Sequence, residues 1–132
     1  MQTLSEIEAA IRASWNLDTA EVDDGWTSDN PSRGQCDITS LIVHDIFGGE
    51  LLAAEVFRNG RQVEWHMWNR LPGGLEVDLT RDQFRDGEVI GEATIRPRLA
   101  ISSPEHPRYH RYEAYIVLER RVHERLSRAL RT

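Results

Sequence analysis

Lysine is missing from this chain, and cysteine occurs once. The first absence removes any Schiff-base lysine and the chemistry that depends on one. The second forbids an internal disulfide, so a disulfide-stapled secreted fold is excluded. No apolar run approaches the roughly 20 residues that span a bilayer, so no membrane partner is expected. The segment Met1-Gln2-Thr3-Leu4-Ser5-Glu6 has no basic stretch leading into an apolar one. It does not read as a signal peptide, and a cytoplasmic location is expected. Positive charge is also in short supply. The formal net charge is −6, which argues against nucleic acid as a partner, because phosphate binding needs a basic face. Gly48-Gly49 and Gly73-Gly74 are turn signals, not phosphate cradles, and no nucleotide-binding glycine fingerprint occurs.

What is present fits one soluble domain spanning 1–132, with 39% hydrophobic and 29% charged residues. Leu4, Ile7, Ile11 and Trp15 recur at helical spacing, and Thr3 with Glu6 has the form of a capping box, which predicts a helix from Thr3 to Trp15. Asn16 to Gly34 is polar and reads as a long loop, ordered by Trp26 and Pro31. Gly34 to Phe47 is apolar around most of its circumference and predicts a buried central helix, stopped at Gly48-Gly49. Three strands follow, Leu51 to Arg58, Gln62 to Leu71 and Leu75 to Thr80. Asn59-Gly60 and Pro72-Gly73-Gly74 supply the hairpin links. Thr80 to Phe84 reads as a capped helical turn and Glu88 to Arg96 as an extended segment. Pro107 opens a terminal helix through Tyr112, Tyr115, Ile116, Val122, Leu126 and Leu130. The fold class is α+β, with the N-terminal and central helices packed on a small antiparallel sheet. The aromatic residues of the terminal helix make a homodimer a possible assembly.

Three residues stand out by position. Cys36 opens the buried helix, His66 lies in the second strand and Asp78 in the third. A helix N-terminus favours a thiolate, a neighbouring imidazole takes its proton, and a carboxylate on the other ring nitrogen fixes the tautomer. That chemistry is thiol-dependent amide or thioester hydrolysis or acyl transfer, with a small molecule or peptide as substrate and no cofactor. Cys36 is the nucleophile, His66 the base and then the acid, and Asp78 the orienting group. Gln35 or Asn30, with the Cys36 backbone N–H, is the candidate oxyanion donor. Trp26 and Trp68 are candidate pocket walls, and Asn69 is an alternative partner for His66 or a substrate contact.

Asn30-Pro31, Gly34-Gln35-Cys36, His66-Met67-Trp68-Asn69-Arg70-Leu71-Pro72-Gly73 and Glu76-Val77-Asp78-Leu79-Thr80 resemble the YunG-like bacterial proteins. The resemblance runs from about Trp15 through Phe84, with a weaker echo at Arg111-Tyr112-Glu113. At the level of fold, the order Cys, His, Asp resembles the papain and transglutaminase superfamily. That resemblance implies a thiol-enzyme core and an oxyanion-stabilising Gln six residues before the cysteine. Asn30, a shorter amide, occupies that position here.

Each residue also has a plain structural reading. Cys36 serves equally well as a small buried hydrophobe, and a strand histidine is more often structural than catalytic. Gln35 is suited to satisfying backbone groups of the preceding loop. A non-catalytic binding module on the same fold is the alternative function. Cys36, His66 and Asp78 are also candidate zinc ligands, but their spacing matches no familiar zinc signature. His106 and His110 stand four apart, and solvent-facing side chains on a first helical turn explain them. Glu21-Val22-Asp23-Asp24 lacks the full EF-hand pattern and reads as a solvated turn.

Overall fold

The computed structural model describes residues 2–131, with side chains described as far as Ala129. Helix α1 is Leu4–Ser14, and its capping box is formed as expected, Thr3 and Glu6 each accepting from the other's backbone N–H. The long loop that follows is ordered. Asn16 caps a single 3₁₀ turn at Leu17–Thr19, and the Trp26 indole donates to the Pro31 carbonyl at 3.0 Å. Helix α2 is Cys36–Phe47, and it ends at Gly48 with φ +76°.

The chain then enters a five-stranded sheet made of β1 (Glu50–Arg58), β2 (Arg61–Arg70), β3 (Glu76–Val77), β4 (Glu88–Ile90) and β5 (Thr94–Arg96). All the described pairings are antiparallel, in the order β3-β2-β1-β4, with β5 also on β1. Asn59 and Gly60 take φ +53° and +77°, the left-handed pair that closes a tight hairpin. Helix α3, Tyr112–Arg131, returns across the helical layer.

The sheet separates two apolar regions. On one face, Ile7, Ile11 and Trp15 meet Ile38, Leu41 and Ile42 of α2 and Leu118 and Val122 of α3, with Leu51 as the contribution of the sheet. On the other, Leu52, Ala54 and Trp68 form a smaller cluster with Ile90. Strand alternation assigns Leu51 and Ala53 to one side and Leu52 and Ala54 to the other.

The α+β class is as expected, and three boundaries differ. The third strand shrinks to Glu76–Val77, so Asp78 lies just beyond it. The extended segment breaks into β4 and β5 because Gly91 turns inward and donates its N–H to the Glu55 carbonyl at 2.7 Å. A Cβ there would stand 3.0 Å from the Phe57 ring. The terminal helix begins at Tyr112, not Pro107. Successive turns from Ser103 to Arg111 hold the intervening segment instead. His106 and His110 therefore share no helix face. His106 Nδ1 accepts from the Arg108 N–H, and His110 pairs with Glu21 at 2.9 Å. The terminal-helix stripe is otherwise as read, although the Leu130 side chain lies outside the described residues.

Gly49 is the tightest backbone approach in the α2–β1 link. Its φ is +83°, and a Cβ there would lie 2.3 Å from the Arg70 carbonyl oxygen. Gly49→Ala is expected to cost about 2 kcal/mol, read as a lower midpoint in urea with an unchanged slope.

Candidate active site and ligand pocket

Cys36 is the first residue of α2, with Gln35 as the cap. The thiol lies against the outer edge of β2, where the Met67 backbone N–H is its hydrogen-bonding neighbour. Burial pushes the thiol pKa up to about 12, and the adjacent Asp37 charge adds to the rise, against the smaller opposing pull of that N–H. Asp37, in the first turn of the same helix, opposes the stabilisation that a helix start offers a thiolate.

His66 is 1% exposed and holds two partners. Its Nε2 lies 2.6 Å from Asp78 Oδ2, and the Gln83 side-chain amide donates to Nδ1 at 3.1 Å. With the amide donating to Nδ1, Nε2 is the ring nitrogen that donates to the carboxylate. The ring stacks on Trp68 at 5.3 Å and meets the edge of Phe84 at 4.7 Å. Gln83 is held in turn by Thr80 Oγ1 at 3.0 Å and by the Gly34 N–H at 3.4 Å.

The expected His66–Asp78 contact is therefore formed, and the expected Cys36–His66 contact is not. Successive strand residues point to opposite faces. Met67 faces the cavity that Cys36 lines, and His66 faces Trp68 on the other side. Both imidazole nitrogens are taken, so no lone pair is directed at the thiol. The same separation rules out the zinc reading. Among the described residues no group of three or more His, Cys, Asp and Glu side chains is placed to hold a metal ion.

The remaining expected site residues are occupied elsewhere. The Asn30 amide donates to the Gln83 carbonyl at 2.9 Å, and the Gln35 amide to the Asn16 carbonyl at 3.1 Å, so neither is directed at an oxyanion beside Cys36. Trp26 braces its own loop. Trp68 is 7% exposed, belongs to the small second core and donates to Glu76 at 2.9 Å. Asn69 is 2% exposed and ties β2 to α2 through the Ser40 carbonyl at 2.9 Å.

What Cys36 does face is a pocket of about 560 Å³. Ala53, Trp65 and Met67 form its floor on the sheet, and Pro97 and Leu99 form a side wall beyond β5. Gly34, Cys36 and Asp37 form the α2 end, and Glu21, Asp24, Glu64, Arg96 and Arg108 bring charge to the rim. Trp65 and Met67 alternate with His66 along β2, and nothing in the sequence assigns their face to a ligand. Glu21 and Asp24, from the acidic run read as a solvated turn, line the pocket instead, and Arg96 at the end of β5 and Leu99 left no local signal.

The charged rim is ordered by two arginines from the interior. Arg111, 3% exposed, binds Asp37 through Nε at 2.7 Å and through its terminal nitrogen at 3.0 Å, and it also reaches Glu21 at 2.8 Å. Burial alone would raise the Asp37 pKa. Arg111 and then Arg108 outweigh it and hold the carboxyl below its ordinary value. Arg33, 5% exposed, binds Glu64 at 3.0 Å and Glu88 at 3.4 Å.

No helix among the described residues is long and apolar enough to cross a membrane. No solved structure matches the chain, and the papain and transglutaminase resemblance gains no support from that direction. A protein of Bacillus subtilis (strain 168) named "Uncharacterized protein YunG" is 29% identical over 82 residues, which is 62% of this chain and 64% of the relative. The chain thus matches less than two thirds of that relative's length. The family model described as YunG protein matches residues 3–127, nearly the whole chain, and the chain belongs to the YunG protein family.

Proposed function

We propose that this domain is a small-molecule binding module, with the Cys36 pocket as its ligand site. The observation that carries this reading is the pocket itself. Its volume of about 560 Å³ falls in the range of small-ligand sites, and its walls combine apolar side chains with a few charged groups. The thiol in its wall is a neutral lining group. A fragment set of indole, phenol and benzyl alcohol, followed by amide and indole N–H chemical shifts, tests the reading. Saturable shifts at Trp65, Ala53 and Met67 are expected. Fragments that leave those three resonances in place would sink it.

A second reading, thiol-dependent hydrolysis or acyl transfer, has one observation in its favour. Cys36 is both the start of a helix and part of the pocket wall. The two readings diverge in the pH dependence of Cys36 alkylation. With a pKa pushed up to about 12, the rate should climb steadily from pH 7 to pH 10 with no plateau. At pH 7 it should be on the order of a hundredfold slower than a free thiol, after allowing for the higher intrinsic nucleophilicity of a basic thiolate. A plateau below pH 8 would restore the nucleophile.

A further inference from the structure

We propose, building on the binding reading above, that the ligand is a small organic cation. Its ammonium, amidinium or guanidinium head lies toward Asp24 and Glu64, and its apolar body lies on Trp65 and Met67.

The case rests on the charge balance of the pocket wall. Four carboxylates line the cavity, those of Glu21, Asp24, Asp37 and Glu64. Glu21 and Asp37 are matched. Arg108 reaches them at 3.3 and 2.8 Å, and Arg111 at 2.8 and 2.7 Å. Asp24 and Glu64 are not matched. Both depend on Arg33, at 3.8 and 3.0 Å, and Glu88 claims the same guanidinium at 3.4 Å. Arg85, the next cation, is turned to the backbone carbonyls of Asp24 and Gly25. One guanidinium thus serves three carboxylates at this end of the cavity.

The imbalance lies between two partly buried side chains. The Glu64 and Asp24 side chains are 15% and 25% exposed, so the field between them is less screened than on the open surface. Burial first, and then Asp24 and Glu88, outweigh Arg33 and hold Glu64 above the ordinary glutamate value. A ligand cation entering here supplies the missing charge. Arg96 is the competing consideration, because it lines the pocket and makes no ion pair among the described residues. It is exposed and lies over the Trp65 ring at 5.5 Å, so its field is largely solvated. It also demonstrates that the indole face accepts a cation. The two partly buried carboxylates therefore decide the sign of the ligand.

Benzamidinium, benzamide and benzoate share one ring and differ in charge, which makes them suitable probes. Their dissociation constants are to be measured on the full chain by the pocket chemical shifts. Benzamidinium should bind about tenfold tighter than benzamide, and benzoate more weakly than either. Glu64→Gln should bring benzamidinium to within about threefold of benzamide, and Asp24→Asn should act in the same direction through a carboxylate on a different element. Circular dichroism confirms that each variant is folded. Benzamide or benzoate binding as tightly as benzamidinium would overturn the cation assignment while leaving the pocket reading intact. Persistence of the preference in both folded variants would overturn it too. If none of the three probes moves the pocket resonances, the binding reading falls and the cation assignment falls with it.

Discussion

Replacing Arg111 with Met should lower the unfolding free energy by about 3–5 kcal/mol, the cost of leaving a buried charge without its partner. Arg111 joins separate segments at the pocket. Besides Asp37 and Glu21, it donates to the Thr19 carbonyl at 2.8 Å and the Gly34 carbonyl at 3.1 Å. The loss therefore falls on the long N-terminal loop, on the first turn of α2 and on the start of α3 together. Asp37, 7% exposed, would be left with Arg108, whose side chain is 40% exposed and better hydrated. Urea unfolding at pH 7 gives the direct measure. A loss under about 1 kcal/mol would mean that solvent or Arg108 already carries the pair. The double variant Arg111→Met with Asp37→Leu should recover part of the loss, because the orphaned charge leaves with its partner.

The pH dependence provides a second check on the same residue. The wild-type carboxyl of Asp37 is held below its ordinary value of 3.8. A depressed acid contributes stability that is present above its unfolded value and is lost as pH falls through its folded one. Wild-type stability should hold from pH 7 to near pH 4 as far as this group is concerned, and then decline. In Arg111→Met the buried carboxyl takes up its proton at higher pH, so the deficit relative to wild type should narrow as the solution is acidified. A constant deficit from pH 7 to pH 4 would show that charge at Asp37 is not the cause.

The second large effect is expected at His66. Truncation to Ala should cost about 3 kcal/mol, combining a buried aromatic-sized cavity with the loss of partners for Asp78 and Gln83. Asp78→Asn keeps an acceptor near Nε2 and should cost about 1 kcal/mol. Thermal unfolding orders the two. The informative part is what should not change. His66 contacts Asp78, Gln83, Trp68 and Phe84 and does not contact the thiol. Cys36 alkylation in folded His66→Ala should therefore stay within about twofold of wild type at each pH. A tenfold fall in the mutant would reinstate the thiol–imidazole pair.

The elements that the sequence made legible are those whose determinants are local. Thr3 and Glu6 cap α1 through contacts three residues apart. Asn59 and Gly60 shape their hairpin from their own backbone preferences. Strand alternation sets Trp65 and Met67 apart from His66 and Trp68 along β2. What alternation does not carry is the side of the sheet on which α2 lies, and the Cys36–His66 expectation turned on that choice. The His66–Asp78 contact was within reach because a hairpin fixes neighbours over twelve residues. Gln83, which completes the ring's partners, lies in the helical turn that the sequence did show, but nothing in that turn pointed its side chain at His66. The pocket was least legible, since its walls come from residues as far apart as Glu21 and Arg108.

The packing of α1 against α3 has a consequence for how the molecule is made. Ile7 and Ile11 share one apolar cluster with Leu118 and Val122, which follow them by more than a hundred positions. On the ribosome, α1 must wait through the synthesis of the whole sheet before α3 completes the cover of its apolar stripe. Closing so wide a loop is slow compared with forming the hairpins, so the sheet can assemble early while the helical layer completes late. During that interval the N-terminal helix is the surface a chaperone would meet first.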